Sequence, residues 1–412
     1  MTPAIHRYLR ATRHDLEILP ASREFDEWVK RLLADGYSES AVDLSTIRIR
    51  SSGIRTEYVS ISDVHYMIID QELSETLAEL ALIRIMKPAE PCIKERIYLL
   101  LADCFRLEGN LPLAMTALKK ASRHIELVSW IRKVAVNNAN SAIPGTITIL
   151  HELAHILLKS NSDKHDPIIS AKRIVDHYLD SFKTLLKAYQ SDENGEQKNA
   201  VEISQLSYFI SKLANDPIFN EEAVCDVAAA LAYINQKANA DIWKGRMTDD
   251  FPLTPQMLAS GLVDSVKVIT NMQLVAAIRQ FAKNVARGES KEVIDRQLGD
   301  LWLRNDNLIQ CLHVAYRFQL STGLLAKPPG GARKPNDIED EDLFVLTALN
   351  YRASWQTYFV PVLKDMDKRF DGPAKKRGVA SVFDDFSGFD ELRNKFKVND
   401  LPATFTSLGV FV

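Results

Sequence analysis

His151 and His155 stand four residues apart in the stretch TITILHELAHILLKS, and Glu152 follows the first of them directly. On a helix this spacing puts both imidazoles on one face, one turn apart, where both can reach a single ion. Glu152 projects beside that face, placed for a carboxylate to take a proton from water. The chemistry such a set performs is metal-assisted hydrolysis. Two imidazoles do not suffice for it, because a catalytic zinc needs a third protein ligand with the fourth position left to water. The HExxHxxGxxH pattern would supply a histidine at 161 and a glycine at 158, but the chain has Asn161 and Leu158. Further along, NEEAVCDVAAALA carries Glu222 and Asp226 at helical spacing on one face. Glu221 stands beside Glu222, yet only Glu222 has an aspartate four residues later. Asp166 and Glu202 are carboxylates of the right type with no local pattern in their favour. His165 and His177 lack the spacing to join the set.

Together the two motifs resemble the gluzincin metallopeptidases, in which HExxH is completed by a glutamate from a later helix within an ExxxD pattern. Among them the chain looks most like the compact intracellular bacterial and phage-related proteases with HELAH. The resemblance implies a zincin-like core and a Zn2+ cofactor with His151, His155 and Glu222 as ligands. It also implies Glu152 as general base and Asp226 as the acceptor that orients a ligand histidine, His151. Ligating imidazoles usually donate their second N–H to such a group. The likeness covers only the region around the two motifs, and His155 and Glu222 lie further apart than in the compact forms, with two helices between them. The reaction implied is hydrolysis of a peptide bond in a protein or peptide substrate. Two other readings stay open: a helical interaction or regulatory protein with a structural metal site, and a zinc hydrolase of a non-peptide amide or ester. Tyr208, Tyr233 and His177 are candidates, unranked, for stabilising a tetrahedral oxyanion.

The elements that must position these groups read mostly as helices. From Ile143 to about Ala238 they are the HELAH stretch, IISAKRIVDHYLDSFKTLLKAYQ, EISQLSYFISKLA and NEEAVCDVAAALAYINQKA, with the polar SDENGEQKN as an exposed loop. The alanines Ala223, Ala228, Ala229 and Ala230 suit close packing of the last on the first. SVKVITNMQLVAAIRQFAKNVA continues the helical run. Earlier, TEYVSIS and VHYMIID are β-branched and aromatic runs that suit two short strands. Residues 1–50 suggest short helices, FDEWVKRLLADGY ending at a glycine stop near Gly36, and SETLAELALIRIMK takes Ser74 as its N-cap. ERIYLLLADCFRLEGNLPLAMTALKKAS has the pattern of one tetratricopeptide-type helix pair with no second copy, which favours an αα-hairpin inside a larger domain. The expected fold is mainly α with a small β element (α+β). Its expected parts are an N-terminal region (1–125), a metalloprotease domain (126–325), a linker in AKPPGGARKPNDIEDED (326–342) and a C-terminal helical region (343–412).

Composition narrows the setting. A chain of 412 residues with 46% hydrophobic content can bury a sizeable core. A formal charge of −3 and a pI near 6.3 give no global reason to expect nucleic acid or an anionic membrane as partner. Cys92, Cys104, Cys225 and Cys311 form no CxxC pair, which argues against a disulfide framework and against a thiolate zinc cluster. With no apolar leader at the N-terminus and no long uninterrupted apolar run, a cytoplasmic protein is expected, one that meets its substrate and any regulatory partner there.

Overall fold

Short β-branched runs pair into one mixed sheet in a computed structural model of the chain, which describes residues 2–13, 16–38, 44–51, 54–62, 64–83, 89–121, 142–159, 166–190, 200–243, 255–321, 359 and 361–362. The strands are β1 (Glu17–Ile18), β2 (Leu44–Arg50), β3 (Glu57–Ile61) and β4 (Val64–Asp70), in the order β1-β2-β4-β3. β3 and β4 form an antiparallel hairpin through Ser62, whose φ of 52° closes the turn. β2 runs parallel to β4, and β1 antiparallel to β2. Two of these strands fall within residues 1–50, where only helices are expected. The alternation of LSTIRIR explains β2: Ile47 and Ile49 go to one face, with Tyr66 and Ile68, and are buried under Ile5 and Leu9. The opposite face, with Met67 and Ile69, packs into the main helical core.

The helices are α1 (Pro3–Thr12), α2 (Arg23–Tyr37), α3 (Gln71–Ile83), α4 (Ala89–Leu107), α5 (Leu111–Ala121), α6 (Ala142–Lys159), α7 (Asp166–Gln190), α8 (Ala200–Asn215), α9 (Pro217–Trp243), α10 (Pro255–Ala286) and α11 (Lys291–Ser321). The architecture is thus mainly helical with a small mixed sheet, the class expected. Glycine does not stop α2 at Gly36. The helix runs on to Tyr37 and turns at Ser38 in the left-handed conformation (φ 56°). Gly36 serves instead for close approach, since a Cβ there would lie 3.1 Å from Leu150 Cδ2 on α6 and 3.3 Å from Ala232 Cβ on α9. Ser74 likewise lies inside α3. Asp70 caps that helix, its carboxylate accepting from Glu72 N at 3.0 Å, and it also accepts from Ser51 Oγ (2.6 Å) and Arg55 N (3.2 Å). One buried carboxylate therefore ties the end of β4 to the loop that feeds β3. Burial raises its pKa, countered in part by those bonds.

α4 and α5 pack as an αα-hairpin, reversed at Gly109 with φ +74°. α10 is apolar enough over Met257–Ala286 to meet a length and composition test for a membrane span, yet 72% of its most apolar window is buried inside the fold. The expected linker at 326–342 lies outside the described residues, as does the C-terminal region apart from Phe359, Pro361 and Val362, of which Phe359 and Val362 are buried in the core.

Candidate metal centre

α6 forms although Thr146, Ile147, Thr148 and Ile149 carry β-branched side chains with weak helix preference. Burial decides the matter. Ile147, Ile149, Leu150, Leu153, Ala154, Ile156 and Leu157 are all 1% exposed or less, and each gains more by leaving water than the local preference costs. Tyr37, fully buried on α2, donates from its hydroxyl to the Leu150 carbonyl at 2.7 Å, bracing α6 one residue before His151. α9 lies against α6 along an alanine-rich face in which Ala223, Ala228, Ala229, Ala230 and Ala232 are buried.

Where these two helices meet, Nε2 of His151 lies 3.4 Å from Glu222 Oε2 and Nε2 of His155 lies 3.7 Å from Glu222 Oε1. One ligand atom from each of the three residues falls within 4.8 Å of the others, so the trio could hold a metal ion. The two rings are nearly perpendicular, with centroids 5.0 Å apart.

The far nitrogens of both rings face carboxylates. Nδ1 of His151 lies 3.1 Å from Asp226 Oδ1, close enough for an ion pair but too oblique for a straight hydrogen bond. Nδ1 of His155 lies 2.6 Å from Glu221 Oε1. The two adjacent glutamates thus divide the work: Glu222 faces both Nε2 atoms and Glu221 holds one ring from behind. Nothing in the local sequence distinguishes these roles except the ExxxD spacing.

A residue that sequence reasoning missed completes the centre. Arg304 on α11 pairs with both oxygens of Asp226, Nε to Oδ2 and Nη2 to Oδ1 each at 2.7 Å, and its Nη1 lies 2.7 Å from Glu222 Oε2. Gln273 on α10 donates to Asp226 Oδ2 at 3.1 Å. The one sequence signal for Arg304 is the polar run RNDN inside an otherwise apolar stretch, LWLRNDNLIQ. That run contains Asn305, fully buried and accepting from Thr270 Oγ1.

Electrostatics follow from this packing. Burial disfavours the charged form of Asp226 and of Glu222, but the Arg304 guanidinium overrides it and holds both carboxyls below their usual range, with His151 helping. Burial likewise opposes a proton on His151, yet Asp226 and Glu222 push its pKa up to about 10. His155 moves down, through burial and the neighbouring His151 charge. Glu152 is half-buried. Burial raises its carboxyl to about 7 against the opposing pull of His151, and its Oε2 accepts from the backbone N–H of Tyr58 at 3.0 Å. β3 is an edge strand among the described residues, so this contact fixes Glu152 against the margin of the sheet.

The other candidates lie elsewhere. Tyr208 bonds Asp300 at 2.5 Å on the surface, Tyr233 bonds Asp264, and His177 contacts Ser181. His165 lies outside the described residues, as do the side chains of Asp166 and Glu202. Compared with known proteins, the chain matches no family model, no curated protein and no solved structure.

Proposed function

We propose that the chain is a zinc-dependent peptide hydrolase of the gluzincin type, acting on a protein or peptide in the cytoplasm. The observation that carries this reading is the convergence of His151, His155 and Glu222 from two separate helices within 4.8 Å, with an unligated Glu152 pinned beside them. Two imidazoles and one carboxylate form a donor set suited to Zn2+ in a catalytic site, since three protein ligands leave one position open. When bound, Zn2+ supplies charge that polarises a carbonyl and acidifies water.

The chain's own residues do the rest. Glu152, with its carboxyl near 7, is poised to accept a proton from the attacking water and return it to the leaving nitrogen. Tyr58 N–H keeps that carboxylate from swinging into the ligand set. Asp226 and Glu221 hold the imidazoles with their Nε2 atoms directed at Glu222. β3, the outer strand of the sheet among the described residues, offers backbone groups along which an extended peptide can lie beside Glu152. A zincin-like core is the corresponding fold reading: a small sheet whose edge strand lies on the HExxH helix, followed by a helix carrying the third ligand. Four free, buried cysteines suit a reducing compartment.

The test is elemental analysis of purified protein together with a comparison of new protein N-termini produced by the parent and by Glu152→Gln. About one zinc per chain in both, and cleavage by the parent alone, is expected. Equal cleavage by the two would remove Glu152 from its role, and zinc bound without any cleavage would favour a structural metal in an interaction protein.

A further inference from the structure

Arg304 is placed unusually for a residue beside metal ligands. Its three nitrogens reach three carboxylate oxygens at 2.7 Å, two on Asp226 and one on Glu222. The Asp226 side chain is fully buried and that of Arg304 is 15% exposed, so the contact is shielded from solvent screening. The guanidinium favours ionised Glu222, as a divalent ion held by the trio would. Without either cation, the two acids would share the seam between α6, α9 and α11 with His151 as the side chain that faces both.

Resting on the zinc reading above, we infer that Arg304 is a resident cation that keeps Glu222 and Asp226 in their ligand-ready arrangement before any metal arrives. The centre is then formed in the metal-free protein, and metal enters and leaves without unfolding the chain. This is a positioning role. Arg304 need not touch substrate, and its planar fork suits the two Asp226 oxygens in a way that a lysine point charge cannot reproduce. Zinc-coupled folding of the usual small-domain kind, in which the apo chain is unfolded, is what this arrangement avoids.

The experiment measures thermal midpoints of the full chain with and without zinc for the parent, Arg304→Gln and Arg304→Lys, with zinc content read directly. The metal-free parent is expected to melt cooperatively, and metal-free Arg304→Gln to melt roughly 5 °C or more lower, as loss of one partner of a buried ion pair implies. Zinc then raises the midpoint of Arg304→Gln more than that of the parent, because the ion replaces the missing charge. Arg304→Lys falls between them. Should Arg304→Gln fold only in the presence of zinc, the inference is supported in its strongest form; should it fold in neither state, the Lys variant decides, by an intermediate zinc-induced shift or by one equal to the parent's. Equal shifts in all three proteins that do bind zinc would overturn the role of Arg304 and leave the metal reading standing. No zinc bound by any of them would defeat the metal reading itself, and the inference with it.

Discussion

The two histidines of the centre are served by the same device in two different settings. On the inner side, His151 faces Asp226, which is paired with Arg304. On the outer side, His155 faces Glu221, which lies 3.8 Å from Lys159 Nζ. Each is an imidazole backed by a carboxylate backed by a cation. The inner set is almost wholly buried, whereas Glu221 and Lys159 keep 35% and 56% of their side chains exposed. Water makes the outer set weak and adjustable, because exposed pairs gain little and are screened by salt. Its absence makes the inner set structural as well as chemical. The cluster thus combines a half shielded from solvent, around His151, with a half open to it, around His155.

Substitutions break that contrast in graded steps. The largest effect is expected from Asp226→Leu, which takes from Arg304 two of its three carboxylate contacts and from His151 the acceptor at Nδ1. A loss of about 3–5 kcal/mol of folding stability should appear in denaturant titrations of the metal-free protein. Tyr37→Phe, which removes the brace on the middle of α6 at the Leu150 carbonyl, should cost about 1 kcal/mol near neutral pH. It also carries a pH signature. Burial raises the Tyr37 pKa well above 10.0, so above pH 10 the unfolded chain loses this proton while the folded chain keeps it. The stability present below pH 10 is therefore lost as the pH rises further. Between pH 10 and 11 the parent should lose stability faster than Tyr37→Phe, and parallel losses would remove Tyr37 as the cause.

On the outer side Glu221→Gln should change stability by less than about 1 kcal/mol, yet weaken zinc binding roughly 10-fold or more by loosening the His155 ring. Competition with a chromophoric chelator measures this directly, and unchanged affinity would mean that Glu221 is a bystander. Lys159→Ala should be the mildest, within about 0.5 kcal/mol, and any effect on zinc affinity should fade as salt is raised. A reversal of this order, with outer substitutions more disruptive to folding than inner ones, would show that burial is not what separates the halves.

Much of the centre was legible because local periodicity carries it. The HELAH spacing and the ExxxD spacing each depend on a single helix turn, and the structure brings His151, His155, Glu222 and Asp226 together. Arg304 was not legible. It reaches the site from a helix whose own pattern is satisfied without it, and only long-range packing selects one arginine from many. Tyr58 escaped for another reason, since it contributes a backbone N–H, which every non-proline residue has. In the fold, the strong runs of β3 and β4 and the long helices were readable, while β2 was hidden among charged residues whose alternation marks a strand. Gly36 was misjudged because a glycine that ends a helix and one that lets two helices touch look the same in sequence.

That last position reaches beyond the fold. Gly36 touches both Leu150, next to His151, and Ala232, further along the helix that carries Glu222. A single methyl inserted there would act as a shim between α6 and α9, the helices that carry the two histidines and Glu222. Fine adjustment of the distance between the two imidazoles and the carboxylate that faces them is therefore accessible from a carbon atom that touches none of the three.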